Sequence, residues 1–411
     1  MGSSKITTLI AQVAEDPATL EKSISVAGVS SVESKGIRKG QIVNIEEAVE
    51  ATIASVEAAE RMAGYNLDSA YVALGGAHIH SQNSHGVVAV SEPDSEISKA
   101  DVERVIEAAS AISLPASREM IHVLPREYVV DGESGVKDPI GMSGVRLEVE
   151  THIVTAAASA VKNLSKALNE VGVTIQDLVF SGLASAYATL TETEKELGCV
   201  LVDIGGGTTS IAVFLEGSLA HSAVIPVGAR NVTNDLAIGL RVSLESAEKI
   251  KNYLSSQKKK KGEEDSDEID VDAVGVEEIR KVSKKTLTEG IIRPRLNEIF
   301  TMVRLELEKE EFSTRIPSGA VVTGGGAETI GVIDSAKRML SLPVRIGVPR
   351  GVEGLIDDII TPAYATSVGL LIYAASIGKS EEPLTSWAKK IKLPTRGLVG
   401  KLIETIKNLL P

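Results

Sequence analysis

The sequence predicts an α/β fold with more than one unit, and three observations predict it. Apolar strand-like segments rich in Val, Ile and Leu alternate with amphipathic helical ones. Two of those strands run straight into three consecutive glycines, at 205–207 and 324–326. Residues 68–148 differ in texture from their flanks, with short strands around a single helix, and read as a small α+β insertion. The length of 411 residues suits ~3 domain-sized units. Only 3% of residues are aromatic against 43% hydrophobic, so the core is built from Val, Ile, Leu and Ala.

The chain opens with MGSSKITTLIAQ, where a glycine and two serines lead into an apolar strand. That pattern is the second half of a phosphate-binding hairpin. Residues 5–30 alternate apolar and polar, which predicts two antiparallel strands joined by the polar turn EDPATLEK. Residues 44–63 predict an amphipathic helix capped by Asn44 and stopped by Gly64. In the insertion, YVALGGAHIH, GVVAVS, MIHVLPREYVVDG and GVRLEVE read as strands, and SKADVERVIEAAS as the helix. Residues 150–170, Ala-rich on one side, predict a second long helix. LVFSGLASAYATL and CVLVDIGGGTTSIAVF follow. The charged stretch at 255–272 reads as a solvated loop. Residues 276–310 predict a long helix interrupted before Pro294. AVVTGGGAETI reads as strand–turn–helix, a helix at 363–377 closes the globular part, and a Pro- and Lys-containing linker leads to an amphipathic end.

A net charge of −13 argues against nucleic acid, whose phosphates call for clustered Lys and Arg. Cys199 is the one cysteine, so no intrachain disulfide forms, which suits a reducing cytosol. At the start of an apolar strand it reads as a buried, inert thiol. The N-terminus lacks the basic and apolar regions of a signal peptide, and no apolar run reaches transmembrane length. Any meeting with a membrane is then at its surface.

LVDIGGGTTSIAVF, 201–214, carries the most chemistry. An apolar strand ends in Asp203. Gly205, Gly206 and Gly207 make a turn with no Cβ in the way, so their N–H groups can converge on a phosphate. Thr208 and Thr209 add hydroxyl donors. Asp203 stands where it could hold a hydrated Mg²⁺, an ion that prefers carboxylate, water and phosphate oxygens. The plainer alternative is a Gly-rich β-hairpin, and no Walker A pattern is present. Gly324, Gly325 and Gly326, with Ala327, repeat the strand–glycine theme and would let a flat base or a phosphate approach the backbone.

Two phosphate hairpins, one in each half, with a downstream Gly-rich turn, form the pattern of the actin-like ATPases. Within that superfamily the chain resembles the FtsA family of bacterial cell-division proteins along nearly all its length. The resemblance rests on SKITTLIAQV, VALGGAHIHSQNSHGVV, CVLVDIGGGTTSIAVF, IPSGAVVTGGGA, ITPAYATSVGLLIYA and the amphipathic tail. It implies an actin-like (ribonuclease-H-like) two-domain ATPase fold with a small α+β insertion subdomain and a C-terminal amphipathic helix. The implied division is subdomain 1A at 1–67, 149–198 and the closing helix 363–378, insertion 1C at 68–148, subdomain 2A at 199–242 and 319–362, and 2B at 243–318. A linker at 379–395 and the helix at 396–411 complete it.

The resemblance also implies ATP and Mg²⁺ as ligands. It matches Asp203 to Thr209 with the second phosphate loop and Gly324 to Ala327 with the adenosine loop. AEKIK resembles the helix that reaches the ribose, which makes Glu248 and Lys251 candidates there, a solvated helix face being the alternative. LASAYATL and PAYATSVGLL resemble the two helices at the interdomain hinge, where Ala and Gly permit close packing. In the family the first phosphate loop is a strand ending in Asp, then Ile, Gly and two hydroxyl residues. Gly2, Ser3, Ser4 and Lys5 match its end, while the Asp and the strand before it are absent. The expectation drawn is a misassigned start or a truncated chain. No residue stands out as a base for activating water, so hydrolysis is left open.

RGLVGKLIETIKNLLP, 396–411, carries Leu398, Val399, Leu402, Ile403, Ile406, Leu409 and Leu410 on one helical face, with Lys401 and Lys407 on the other. From Ser386 onward there are six Lys or Arg and one acidic residue, with Trp387, the only tryptophan, close by. A basic amphipathic helix suits an anionic membrane surface, the alternative being a helix docked on the protein's own core. In FtsA such a helix is the membrane anchor. Arg293 and Arg295, in IIRPRLNEIF, resemble the surface that receives the C-terminal tail of FtsZ, with solvated helix charges as the alternative. Head-to-tail self-assembly, other division proteins as partners and a place on the cytoplasmic face of the membrane at the division site follow from the same resemblance. Two rivals remain: a PilM-type scaffold of pilus assembly, and a small-molecule kinase of the same fold. His78, His80 and His85 cluster, and strand alternation would set His78 and His80 on one face, but without a carboxylate or Cys to complete a metal set.

Overall fold

Strand β1 (Lys5–Glu15) and strand β2 (Lys22–Glu33) pair antiparallel from Lys5↔Glu33 to Glu15↔Lys22, with a bulge at Ile10/Ala11. The structure is a computed structural model that describes residues 1–15, 22–91, 96–256, 267–271, 275–276, 278–279, 281–309 and 311–377. The expected linker, the amphipathic tail from 396 to 411 and most of the charged stretch at 255–272 lie outside those residues. Met1–Ser376 forms one unit.

After the short strands β3 (Ile37–Arg38) and β4 (Gln41–Ile42) comes helix α1 (Ile45–Ala63). Asn44 caps it, accepting from the Glu47 N–H at 3.4 Å, and Gly64 ends it at φ 72°. Its small face lies on the first sheet, where the Thr8 and Ser55 hydroxyls meet at 2.8 Å. Strand β5 (Ser69–Leu74) then breaks at two glycines. It falls inside the stretch expected to be the insertion, yet its ladder is parallel with β10 (Thr174–Phe180) far along the chain. His78 sits in the turn after β5, not on a strand, so it shares no strand face with His80. Among the described residues no three His, Cys, Asp or Glu gather as a metal set.

The insertion sheet is built from β6 (His80–Ala89), β7 (Arg118–Val130), β8 (Glu133–Val136) and β9 (Arg146–Ala157), in the order β6-β9-β7-β8. Helix α2 (Lys99–Ser110), with its Ser98–Asp101 capping box, packs on it. Pro125, which has no N–H for the ladder, stands where β7 slips register. The helix expected at 150–170 begins only at Ala158, as α3 (Ala158–Val171). Residues 151–157 are strand instead, paired on both sides by β6 and β7 and buried almost throughout. A β-branched run in a doubly paired, buried position outweighs the helical pull of its alanines.

Helices α4 (Ser181–Thr189) and α5 (Glu192–Leu197) lead into the second half. There β11 (Cys199–Ile204), β12 (Thr209–Leu215) and β13 (Ser218–Ile225) form a meander. With β16 (Ala320–Thr323) and β17 (Val344–Ile346) it makes a five-stranded sheet ordered β13-β12-β11-β16-β17. Cys199 is buried, and burial pushes its thiol up to about 12, which leaves it unreactive. Helices α6 (Ala229–Leu240) and α7 (Leu244–Ser256), a hairpin of β14 (Glu268–Asp270) and β15 (Lys281–Ser283), and helices α8 (Arg293–Lys309) and α9 (Val332–Leu340) share one large core with this sheet.

The helix expected over 276–310 is shorter and composite. Residues 281–283 are strand, and a π-helical stretch, Thr286–Ile292, runs into α8. The wider turn lets Arg293 donate to the Thr288 carbonyl just before Pro294, which has no N–H to offer.

Strand β18 (Glu353–Gly354) returns to pair with β2, and helix α10 (Ala365–Ile377) follows a 3-10 turn at Pro362–Tyr364. Helices α4 and α10 cross backbone to backbone: a Cβ on Gly369 would lie 1.7 Å from the Ala184 carbonyl oxygen. Beside the crossing, Tyr373 takes Tyr71 and Tyr187 edge-on, with ring centroids at 6.2 and 5.6 Å, and donates to Asp177 at 3.0 Å.

In an ordinary exposed helix, glycine to alanine stabilises by about 1 kcal/mol. At this crossing the sign reverses, and Gly369→Ala is expected to destabilise by about 2–3 kcal/mol through overpacking. A lower urea midpoint with an unchanged slope is the expected reading.

Candidate functional site

One cleft of about 1340 Å³ opens between the N-terminal turn, the glycine loop after β11, helix α7 and the glycine turn after β16. Gly2, Ser3, Ser4, Lys5, Asp203, Gly205, Gly206, Gly207, Thr208, Glu248, Lys251, Gly324, Gly325, Gly326 and Ala327 all line it. Thr209 does not: it is fully buried, and its hydroxyl donates to the Val227 carbonyl at 2.8 Å. It is the first residue of β12, and strand alternation turns it inward.

The glycine loop is held from behind. Gly205 N–H donates to the Thr208 carbonyl at 2.8 Å, and the first amides of α6, on Ala229 and Arg230, donate to the carbonyls of Gly205 and Gly206 at 2.9 Å each. The N–H groups of Gly206, Gly207 and Thr208 then have no acceptor among the described residues, and neither do those of Gly325 and Gly326. A Cβ on Gly206 would meet Ser4 at 2.7 Å, and one on Gly207 would meet Ser3 at 2.7 Å. The two turns therefore close on each other as bare backbone. Ser3 is fixed by an N–H from Gly40 at 2.9 Å, and Arg230 donates to the Ser3 carbonyl at 3.3 Å.

Lys5 lies 3.5 Å from the centre of the Tyr364 ring. Burial pulls its ammonium down to about 8, against the opposing pull of Glu328. Burial likewise raises the Glu328 carboxyl, and Lys5 opposes that shift. On the far wall Thr233, Glu248 and Lys251 form a closed set. Glu248 accepts from Thr233 at 2.5 Å and from Lys251 at 2.7 Å, and Lys251 also reaches the Thr233 hydroxyl at 3.0 Å. Lys251 is buried while Glu248 remains half exposed, and the second Glu248 oxygen has no partner among the described residues.

Asp203 is 7% exposed at the end of β11. Its Oδ2 accepts from the Ser185 hydroxyl at 2.5 Å and from Thr366 at 2.9 Å. Burial raises its carboxyl above the usual range, and the two hydroxyls partly offset that. Gly324, at φ 81°, is required beside it, because a Cβ there would lie 2.2 Å from Oδ1. Ser185, Thr366, Thr233, Gly40 and Arg230 are contributors that the sequence reading did not single out. Their spacing from the glycine runs is long or irregular, so no local pattern announces them.

Arg293 and Arg295 stand apart from the cleft. Arg293 pairs with Glu289, and Arg295 makes a two-pronged pair with Asp235 at 2.6 and 3.0 Å besides contacting Glu298. Both guanidiniums are thus already answered by carboxylates. No helix among the described residues is long and apolar enough to cross a membrane.

The family description "SHS2 domain inserted in FTSA" matches residues 76–155, and "Cell division protein FtsA" matches residues 200–369. The chain is 43% identical over 374 residues to the cell division protein FtsA of Pseudomonas aeruginosa, covering 91% of this chain and 87% of that one. It is 35% identical to the FtsA of Escherichia coli K12, covering 95% and 96%. Among solved structures it is similar to a PilM–PilN type IV pilus biogenesis complex at a TM-score of 0.62 and 16% identity, covering 91% and 97%. It is also similar to the ethanolamine utilization protein EutJ of Carboxydothermus hydrogenoformans at 0.50 and 16%, covering 90% and 87%.

The raised Asp203 carboxyl fixes a sign. Its folded value lies above the unfolded one of about 3.8, so the folded chain holds that proton more tightly. Asp203 therefore lowers stability as pH rises from the ordinary carboxylate range through the raised value. Asp203→Asn is expected to flatten that segment and to be the more stable chain at pH 7. Urea midpoints of both proteins, compared point by point from pH 4 to pH 8, would read it.

Proposed function

The chain belongs to the FtsA family of cell-division proteins, with the actin-like fold and the family's inserted domain, and on that premise we propose that it binds MgATP in the cleft, assembles head to tail and tethers FtsZ filaments to the cytoplasmic face of the membrane. The observation that carries the nucleotide reading is the set of N–H groups, without acceptors among the described residues, on two glycine turns facing one cleft, with Lys5 beside them. Such donors, with a cation, fit phosphate oxygens. Gly205 to Thr208 and Gly2 to Lys5 would take the phosphates. Gly324 to Ala327 would take the adenosine, and Glu248 with Lys251 the ribose.

The donor set also fits Mg²⁺. Among the described residues there is no cage of three or more metal-ligating side chains, and Mg²⁺ asks for none, since it keeps its waters and takes one or two carboxylates with the phosphates. Asp203 would hold it through water. The ion would supply charge neutralisation for the phosphates.

The tail reading rests on the sequence. Leu398, Val399, Leu402, Ile403, Ile406, Leu409 and Leu410 would enter the headgroup region while Arg396, Lys401 and Lys407 meet anionic lipid. Arg293 and Arg295 are the proposed contacts for the acidic tail of FtsZ, which would compete with Glu289, Glu298 and Asp235 for them. The 43% identical relative favours this reading over the pilus scaffold, whose 16% identity speaks for fold alone.

Calorimetry on the 411-residue chain is expected to show MgATP binding, and Glu248→Ala to weaken it at least tenfold, in keeping with about 1.5–3 kcal/mol for a hydrogen bond to a charged group. Absence of heat with MgATP would sink the nucleotide reading. Sedimentation with anionic vesicles is expected to fall about a hundredfold when 396–411 is deleted, from about 1 kcal/mol for each of its basic residues. Unchanged sedimentation would turn the argument toward the pilus-type scaffold.

A further inference from the structure

Four parts of the chain meet at Asp203. It ends β11, and its Oδ1 faces Gly324, the first residue of the adenosine turn. Its Oδ2 faces Ser185 on α4 and Thr366 on the first turn of α10. The two hydroxyls also touch each other, at 2.9 Å. The site is dry on this side: Ser185 is fully buried, and it sits next to Ala184, where α4 and α10 cross at Gly369.

With Asp203 ionised, as a bound cation would require, the triangle of Oδ2, Ser185 Oγ and Thr366 Oγ1 has three short edges but only two protons, one per hydroxyl. With both protons on Oδ2, the edge between the hydroxyls holds none. If another cation draws on the carboxylate, either hydroxyl can swing its proton onto the other without leaving a buried donor orphaned. The clasp thus has two arrangements, each fully satisfied. Both involve the helices that run between the chain's halves.

We propose that Ser185 and Thr366 are positioning residues that couple occupancy of the Asp203 carboxylate by nucleotide-borne Mg²⁺ to the crossing of α4 and α10. This rests on the nucleotide reading above and adds its regulation. In the empty cleft the hydroxyls tie both helices to the end of β11. When hydrated Mg²⁺ orders around Asp203, one tie moves from the carboxylate to the neighbouring hydroxyl, and the helix pair changes its hold on the sheet. By linkage, whatever the ion does to the crossing, the crossing does to the ion's affinity.

The test is hydrogen exchange in peptides covering 181–189 and 365–377 of the full chain, free, with ATP plus chelator, and with MgATP. Saturation is checked in each case with a fluorescent ATP analogue. In the native chain MgATP is expected to change protection in both helices about fivefold or more beyond ATP alone, the lower edge of ordinary coupling energies. Thr366→Val keeps the shape of the residue and removes the hydroxyl, and it is expected to abolish that Mg-specific difference, while Thr366→Ser restores it. Ser185→Ala is the second variant, should Thr366→Val not fold. A hydroxyl that merely satisfies a buried carboxylate would leave the Mg-specific difference intact in either variant, and that result overturns the proposal. So does a native chain that binds MgATP with no exchange difference. If the native chain fails to take up the fluorescent analogue at all, the nucleotide reading falls and the coupling falls with it, and the binding signal tells the two failures apart.

Discussion

Gly369 lies against the carbonyl of Ala184 closer than any side chain would allow. Much of the site's geometry follows from that approach. Helices separated by ordinary side chains stand 8–10 Å apart, whereas here the backbones themselves are in contact. Only at such a distance can a short serine hydroxyl on one helix and a threonine hydroxyl on the other reach the same carboxylate oxygen. The same approach brings Pro362, just ahead of α10, close enough to accept from the N–H of Gly324 at 3.0 Å. Helices α4 and α10, the end of β11 and the glycine turn after β16 are consequently one packed object rather than neighbouring loops.

The chain carries −13 overall, and the cleft mixes both signs: Lys5, Arg230, Lys249 and Lys251 line it with Glu33, Asp203, Glu245, Glu248 and Glu328, beside glycine amides that have no acceptor among the described residues. Small residues make this possible. Where Ser3 meets Gly207 and Ser4 meets Gly206, a single methyl group would force the two turns apart. On the proposed nucleotide reading, most of the phosphate donors would be main-chain amides, whose state does not change with pH. Burial shifts three side chains in the cleft's lining: Lys5 and Glu328, which act on each other, and Asp203.

What could be read ahead of the structure was what depends on nearby residues. The glycine runs, the Asn44 and Gly64 caps, the first hairpin and the helix at 98–110 are local in cause and were legible. The strand at 151–157 was not, because its state is decided by β6 and β7 on either side rather than by its own alanines. Thr209 looked like a donor by type, but its place in β12 turns it inward. Ser185 and Thr366 lie 18 and 163 residues from Asp203, and no spacing rule links them. The resemblance pointed to the segments LASAYATL and PAYATSVGLL for their small residues, and the hydroxyls among them carried the chemistry. His78 was misjudged for a related reason: two glycines upstream end the strand that alternation assumed.

The tyrosines at the helix crossing have a consequence for spectroscopy. The chain has one tryptophan, at 387, which lies beyond the α10 helix and outside the described residues. Among the described residues, tyrosines are therefore the main near-ultraviolet chromophores. Three of the seven tyrosines, at 71, 187 and 373, meet edge to face beside the crossing of α4 and α10. Rings held at fixed angles in a packed setting give strong, signed circular dichroism, and small rotations of the helices alter it. A built-in tyrosine reporter thus sits at the crossing of α4 and α10.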